Sequence, residues 1–520
     1  MALKPKTIFD RFFMKKRNGG LVKSTLLITF CSILGIAISF VSQLIIAYFF
    51  GAKFERDAYF LASTIPTYLA AIFTGSIGMV FLPRVVKIQN NSPQELTRFL
   101  STVFWGITIV SALIGLLCIL FSKSILGFIA NGFTEEQNTF TANILVIIIP
   151  AFVFTILSNL LSSLYQIQNR FLYPAIAPIL TSVVSLLFVI LFSKSLGIMG
   201  LAWGFLAGSA LSFVYLLPIL KTYEIKFLIQ FKDSEFMAFV RTFLPLLITG
   251  IVFRSTSIFE RSIASGLEAG SISYLGYASQ ILMILATLTA NGIGVSIYPT
   301  LSRYWAENNK IAFSQFYIKI LRILLLISIP IAIVIIFYGE NFVKVIFERG
   351  AFVHHVTLAV SRALAFSMGV FIFQGLGNVV TKIFYISSKT TAISVIASFE
   401  LLIYISLGYL LSAHLSFIGL SIALSISSMF NILISLFYIN KRLIKIEYGA
   451  LFRDLSKILL TSLVTLAAVY SLYNLIIGVP NFLYLSYCLI IGVLIFFFFG
   501  ALIGIEELAT MKKSIFNKLK

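Results

Sequence analysis

The chain has 520 residues, of which 59% are hydrophobic and only 11% are charged. Because water-soluble globular domains carry about 25% charged residues, this composition excludes a soluble globule and predicts a polytopic helical membrane protein. The net charge of +20 would suit a nucleic-acid binder only if the basic residues formed one patch, but they are dispersed along the chain. We therefore predict no nucleic-acid partner.

Apolar segments that reach the ~20 residues needed to span a bilayer recur along the whole chain. The first six are predicted at 24–50, 58–83, 99–121, 140–167, 173–193 and 198–220. Six more are predicted at 242–266, 271–302, 314–337, 356–386, 391–413 and 418–440, followed by two at 458–477 and 482–504. The sequence thus predicts an all-α fold of about 14 transmembrane helices.

The loops between the spans alternate between basic and nearly neutral. The basic set includes the N-terminus, the segments 221–241 and 441–457, and the C-terminal tail, whereas the loops around Glu55 and Glu135 carry little net charge. Positively charged loops stay in the cytoplasm, where they face anionic lipid headgroups. We therefore predict cytoplasmic N- and C-termini and contacts with membrane lipids.

The spans and loops together predict seven regions. They are a basic cytoplasmic N-terminus at 1–23, an N-terminal lobe at 24–220, a cytoplasmic linker at 221–241, a C-terminal lobe at 242–440, a basic cytoplasmic loop at 441–457, two helices at 458–505 and a cytoplasmic tail at 506–520.

The two six-span lobes look like copies of one another. Phe81-Leu82-Pro83 matches Ile297-Tyr298-Pro299 at an offset of 216 residues, and Tyr165 matches Tyr385 at an offset of 220. Because each copy has an even number of spans, both have the same orientation. Parallel repeats of this kind place a substrate path between two bundles, so the pattern favours a transporter.

Ionisable residues in the seventh span are candidate functional groups. A charge at mid-membrane costs about 2.5–3.5 kcal/mol, so it normally faces a partner or a cavity. Arg254 and Arg261 are seven residues apart, which would place them on one helical face about 10 Å apart along the axis. Glu260 can neutralise only one of them and is a candidate for ion coupling.

Later spans extend this cationic set. The tenth span carries Arg362 and a polar stripe at i, i+4 and i+8, which consists of Gln374, Asn378 and Lys382. Glu400, midway through the eleventh span, is a second coupling candidate. In the first span the polar residues are uncharged, namely Ser39 and Gln43, and they could line the same cavity. The excess of positive charge in the second lobe favours an anionic substrate.

Each of these residues also has a purely structural interpretation. Arg254 and Glu400 could form a buried ion pair that only fixes helix packing, and Lys382 could extend to the lipid headgroups. Asn, Gln and Ser in spans often form hydrogen bonds between helices.

The three cysteines, Cys31, Cys118 and Cys488, all lie in apolar spans. Their positions predict neither a disulfide framework nor a metal site, and no cofactor is expected. No nucleophile, base and orienting residue form a recognisable set, which argues against an enzyme.

Several motifs resemble the MurJ (MviN) family of lipid II flippases, which belongs to the MOP superfamily. The segment from Phe50-Gly51-Ala52 to Asp57-Ala58-Tyr59-Phe60 resembles that family's first-to-second-helix signature. Glu260-Arg261 with Tyr274-Leu275-Gly276-Tyr277 resembles its seventh and eighth helices, and Lys382-Ile383-Phe384-Tyr385 its tenth. The resemblance covers nearly the whole chain.

The resemblance implies a MATE-like fold of two six-helix lobes in the bacterial inner membrane, with 458–505 forming a groove for a polyprenyl tail. It implies a flippase that moves an undecaprenyl-pyrophosphate-linked saccharide, such as lipid II, from the inner to the outer leaflet by alternating access. Cell-wall or polysaccharide assembly enzymes would be its partners. Asp57, Arg261 and Lys382 fall on matching positions and would belong to the substrate site.

The chain departs from the family pattern at several cations that are taken to hold the pyrophosphate. It has Ile36 and Ser42 in the first span, Ala70 and Ala71 in the second, and Ser279 and Gln280 in the eighth. A flippase for an O-antigen or exopolysaccharide unit is therefore an alternative. A MATE-type drug or cation antiporter is another, although it would need a buried carboxylate in the N-terminal lobe, where the nearest acid is Asp57.

Overall fold

The computed structural model describes residues 20–89, 92–446, 448–475 and 481–504. Regular structure within these ranges is helical, without β-strands. The helices are α1 (Gly20–Phe50), α2 (Phe54–Gln89), α3 (Pro93–Leu120), α4 (Ser122–Ile129), α5 (Glu135–Ile167), α6 (Leu172–Leu196), α7 (Ile198–Leu216), α8 (Pro218–Thr222), α9 (Ser234–Arg254), α10 (Thr256–Ser265), α11 (Ser271–Ala286), α12 (Gly292–Ala306), α13 (Lys310–Phe347), α14 (His354–Phe366), α15 (Met368–Ile386), α16 (Thr390–Arg442), α17 (Gly449–Leu475) and α18 (Asn481–Ile503).

The described residues contain twelve helical segments long and apolar enough to cross a membrane. The longest, α16, bends at Ser416 and so contains both predicted spans at 391–413 and 418–440. The prediction of an all-α polytopic membrane protein with about 14 spans is confirmed. Most of the predicted N-terminus at 1–23 and the whole predicted tail at 506–520 lie outside the described residues.

Three predicted spans are interrupted in the structure. The span at 242–266 is divided between α9 and α10 at Ser255, and the span at 356–386 is divided between α14 and α15 at Ser367. The span at 271–302 contains a five-residue π-helical turn at Thr287–Asn291. Hydropathy could not reveal these interruptions, because an apolar run reads the same whether or not its helix is continuous.

The chain forms two compact units. Unit 1 contains the described part of Met1–Ile46 together with Ala62–Ile125 and Thr139–Gly250. Unit 2 contains Ala47–Leu61, Leu126–Asn138 and the described residues from Ile251 onward. Two short segments of the predicted N-terminal lobe therefore pack with unit 2, and the division along α9 falls just before its interruption.

Each unit has its own apolar core. In unit 1 aromatic rings join neighbouring helices: the ring centroids of Phe73 in α2 and Phe152 in α5 are 5.9 Å apart, and those of Phe99 in α3 and Phe239 in α9 are 6.0 Å apart. In unit 2 buried aliphatic residues of α13 and α15 form the centre. A largely buried ion pair, with 2.7 Å between Arg322 Nε and Asp454 Oδ2, attaches α17 to α13.

The backbone records the internal repeat more clearly than the sequence does. Three pairs of residues with left-handed φ are each separated by 219 positions: Gly51 and Gly270, Asn169 and Ser388, Gly197 and Ser416. In the last pair the angles nearly coincide, with φ 56° and ψ −137° at Gly197 and φ 51° and ψ −141° at Ser416. The two halves thus turn in the same way at equivalent positions.

Candidate functional site

Unit 2 contains a cluster of four buried charged residues, two near the start of α2 and two in the middle of α10. Their exposed fractions are 1% for Arg56, 3% for Asp57 and 8% for both Glu260 and Arg261. Buried ions are strongly destabilising unless each is paired or hydrogen-bonded. The cluster holds two positive and two negative side chains, so its formal charges balance.

Asp57 caps helix α11. Its Oδ2 accepts a hydrogen bond from the N–H of Gly270 at 2.6 Å, and its Oδ1 accepts one from the N–H of Ser273 at 2.7 Å and another from the Ser273 hydroxyl. A carboxylate at a helix N-terminus satisfies N–H groups that lack partners within the helix and interacts favourably with the helix dipole. The predicted substrate ligand Asp57 is therefore fully engaged by the protein in this structure.

Arg261 is held within the same cluster. Its Nη1 donates to the carbonyl of Ile272 at 2.8 Å and lies 3.4 Å from Oε1 of Glu260. Two guanidinium groups form cation–π contacts with the ring of Phe60. The guanidinium carbon of Arg56 lies 4.0 Å from the ring centroid, and that of Arg261 lies 5.5 Å from it. Such cation–π contacts stabilise cations that have lost their water.

Arg254 and Arg261, which the sequence predicts on one helical face, lie in consecutive helices, because α9 ends at Arg254 and α10 begins at Thr256. Arg254 is exposed, whereas Arg261 is buried.

The remaining cationic candidates of unit 2 are accessible. Arg362, in α14, is exposed, as is Gln374 in α15. Asn378 and Lys382, which follow Gln374 at one-turn intervals, are half-buried. The predicted polar stripe therefore lies on a side of α15 that the packing of unit 2 leaves at least partly open.

Glu400 is bound by two neighbours in its own unit. Its Oε2 accepts a hydrogen bond from the Asn431 amide at 2.6 Å, and its Oε1 accepts one from the Ser428 hydroxyl at 3.3 Å. The suggested Arg254–Glu400 ion pair is absent from the described residues. The physical reason is that two uncharged donors from α16 already satisfy the carboxylate.

Unit 1 supplies uncharged groups. The hydroxyls of Ser39 and Ser182 lie 3.1 Å apart, and Gln43 is half-buried one turn further along α1. A cavity of about 240 Å³ lies between α2, α5 and α7. Its lining consists of Pro66, Thr67, Ala70, Ala71, Thr74, Phe152, Thr155 and Phe205.

The family model described as Lipid II flippase MurJ matches residues 46–493, well over half of the chain. The chain belongs to the MurJ family. A probable lipid II flippase MurJ of Buchnera aphidicola from Acyrthosiphon pisum is 25% identical over 427 residues, covering 80% of this chain and 83% of the relative. The lipid II flippase MurJ of Thermosipho africanus is 25% identical over 462 residues, covering 88% and 92%.

Solved structures agree with the MurJ assignment at the level of the fold. A lipid II flippase MurJ in an inward closed conformation superposes with a TM-score of 0.81 at 24% identity, covering 92% of this chain and 99% of that one. An inward-facing multidrug resistance MATE transporter of the MOP superfamily gives a TM-score of 0.61 at 13% identity, covering 79% and 93%. The predicted MOP-type fold is confirmed.

Sequence reasoning missed three parts of the site. It placed Arg56 in a nearly neutral loop, although Phe60 one turn later offered an aromatic partner. It did not identify Ser273 as a ligand of Asp57, because residues 216 positions apart give no local signal. It also missed Asn431, whose amide lies one turn after Ser428 on the same helix and binds Glu400.

Proposed function

We propose that this chain is a flippase that moves an undecaprenyl-pyrophosphate-linked saccharide, lipid II or a similar peptidoglycan precursor, from the inner to the outer leaflet. The observation that carries this proposal is membership of the MurJ family over residues 46–493. The multi-pass helical fold supports the same conclusion.

We further propose that accessible cations of unit 2 bind the pyrophosphate. Arg254 and Arg362 are exposed, and Lys382 is half-buried in the helix that also carries Gln374 and Asn378. Guanidinium and ammonium groups form charge-assisted hydrogen bonds with phosphate oxygens. Ser39 and Gln43 of α1 are proposed to contact the uncharged saccharide.

Asp57 and Arg261 are proposed to act by holding the protein in one state. Both are buried, and both make hydrogen bonds within unit 2. We propose that the segment 47–61 separates from α11 when the transporter opens outward. The hydrogen bonds from α11 to Asp57 would then break and reform in each transport cycle. Arg261 would hold α10 in place next to these hydrogen bonds.

The energy source is proposed to be the membrane potential. Arg254, Arg362 and Lys382 leave an empty binding surface positively charged, and one elementary charge is worth about 2.3 kcal/mol per 100 mV. An inside-negative potential would drive the empty, positively charged binding surface back towards the cytoplasmic side of the membrane. Glu260 and Glu400 are the alternative coupling groups, which would respond to the pH gradient instead.

The proposed location is the bacterial inner membrane with both termini in the cytoplasm. Cysteine replacements at Ser195, Asn341 and Asn309 test this orientation. The first two should react with an impermeant thiol reagent in intact cells, and the third only after permeabilisation. The reverse pattern would contradict the proposed direction of transport.

Complementation tests the function. Cells depleted of their own lipid II flippase should grow when this chain is expressed, and an Arg254→Ala variant at equal membrane abundance should support less growth. The six replaced family positions, including Ala70 and Ala71, favour one other candidate, a flippase for another lipid-linked polysaccharide unit. Rescue of an O-antigen or exopolysaccharide flippase mutant, without rescue of the lipid II mutant, would select that candidate.

A further inference from the structure

The cavity of unit 1 lies at the depth of the lipid hydrocarbon. Helix α2 runs for 36 residues, and its lining residues from Pro66 to Thr74 are in its middle. At 1.5 Å per residue, the cavity begins roughly 18 Å from the N-terminal end of the helix and roughly 22 Å from its C-terminal end. The hydrocarbon core of a bilayer is about 30 Å thick, so this depth is well inside it.

The threonines of the cavity do not make it a polar site. The hydroxyl of Thr67 donates to the carbonyl of Ser63 at 2.7 Å, and that of Thr155 donates to the carbonyl of Ala151 at 2.7 Å. Each of these hydroxyl groups thus donates its proton to a backbone carbonyl of its own helix. None of the eight lining residues is charged, and the surface that they offer is almost entirely apolar.

This surface excludes the charged part of the proposed substrate. A pyrophosphate placed here would lose its water without gaining a cation, which is strongly unfavourable. Ala70 and Ala71 line the wall, and their methyl groups cannot bind an anion.

An isoprenoid chain fits the same surface. When a pyrophosphate enters a water-accessible path, the isoprene units bonded to it are drawn away from the lipid and towards water. Apolar groups in that situation gain free energy by entering an apolar cavity. We propose that the unit 1 cavity of this chain binds the isoprene units next to the pyrophosphate, an inference that rests on the proposed flippase function.

Binding of two probes to the full-length protein in lipid nanodiscs tests the proposal, with empty nanodiscs as the blank. The probes are inorganic pyrophosphate and farnesyl pyrophosphate, which adds three isoprene units to the same anion. The wild type should bind farnesyl pyrophosphate about tenfold or more tightly than pyrophosphate. Ala71→Phe, which fills the cavity, should remove this difference while leaving the affinity for pyrophosphate unchanged.

Two further variants keep the test decisive. Phe205→Ala removes a wall of the cavity and should also weaken farnesyl pyrophosphate binding selectively. Thr155→Val has nearly the same shape without the hydroxyl, so it should retain the affinity within about twofold if the occupant is apolar. Loss of binding in Thr155→Val would overturn the proposal in favour of a polar occupant.

The failure of this proposal is distinguishable from failure of the proposed function. If the wild type binds both probes equally and Ala71→Phe changes neither affinity, the cavity assignment is wrong while the function stands. If the wild type binds neither probe, the cavity assignment and the proposed pyrophosphate site are both wrong, and lipid II translocation still decides the function. A gain in pyrophosphate affinity in Ala71→Arg without any farnesyl preference in the wild type would identify the cavity as a lost anion site.

Discussion

Asp57 in the first turn of α2 accepts hydrogen bonds from both the backbone N–H and the hydroxyl of Ser273 in the first turn of α11. The two residues are 216 positions apart, so this contact joins the beginning of the second span to the beginning of the eighth. Because the Asp57 carboxylate caps a helix of another span, this one side chain contributes to the stability of unit 2.

Replacement of Asp57 should lower the stability of the protein. Asp57→Ala leaves buried N–H groups of Gly270 and Ser273 without an acceptor, at a cost of about 2–3 kcal/mol, and Asp57→Asn should cost less because one acceptor oxygen remains. Thermal unfolding in detergent measures both effects. Glu55→Ala, which removes an exposed carboxylate two residues earlier, is the control and should leave the unfolding temperature unchanged. Equal effects of the two alanine variants would contradict the cap.

Arg254 and Arg261 should respond differently to alanine substitution. Arg261→Ala leaves Glu260 buried without its partner, which costs about 3–5 kcal/mol, so the amount of folded protein in the membrane should fall. Arg254→Ala removes an exposed side chain and should preserve that amount while reducing transport. Quantitative immunoblotting combined with a transport assay separates the two outcomes. The double variant Glu260→Ala with Arg261→Ala should recover part of the lost protein, and a failure to recover would show that the pair is not what stabilises this site.

In the turn before the last span of each repeat, a change from serine to glycine and a change from glycine to serine should have opposite effects on stability. A serine in the conformation of Ser416 is strained by about 1–3 kcal/mol, so Ser416→Gly should raise the unfolding temperature. Gly197→Ser should lower it, although no atom lies within 4 Å of the added Cβ, because the backbone conformation alone is unfavourable. Thermal unfolding of both variants tests the pair, and changes of the same sign would contradict this account.

Glu348 should contribute stability that is lost in acid. Burial alone would raise the pKa of Glu348, but hydrogen bonds from Thr357 and His354, with the charges of His354 and Lys344, lower that pKa below its ordinary value of 4.5. A carboxylate with a lowered folded-state pKa stabilises the protein above 4.5 and ceases to do so as the pH falls through its folded pKa. The difference in unfolding temperature between wild type and Glu348→Gln should therefore be constant near pH 6 and shrink below pH 4.5. A difference that grows in acid would mean that the folded-state pKa of Glu348 is raised and not lowered.

The sequence predicted the fold well because the apolar spans are long and the bilayer permits few alternatives to the helix. It could not predict the interruptions at Ser255 and Ser367. These depend on local backbone geometry, which hydropathy averages over. The two compact units of the structure are divided within α9.

The candidate site was predicted less completely. The residue types were informative, since Arg254, Arg362 and Lys382 are rare within spans and the structure leaves all of them at least partly accessible. The sequence could not identify the groups that contact each charged side chain. For Asp57 and Arg261, which the sequence predicts as substrate residues, the structure adds contacts within the protein that come from distant positions or from a following helix.

Translocation of lipid II by the purified protein tests the central claim most directly. The chain is reconstituted into vesicles that contain a fluorescent lipid II, and a membrane-impermeant enzyme that cleaves lipid II is added outside. The account predicts that the fraction cleaved rises from the outer-leaflet half towards the whole pool, and that an equal amount of Arg254→Ala raises it more slowly. A cleaved fraction that stays at the level of protein-free vesicles would contradict the flippase function.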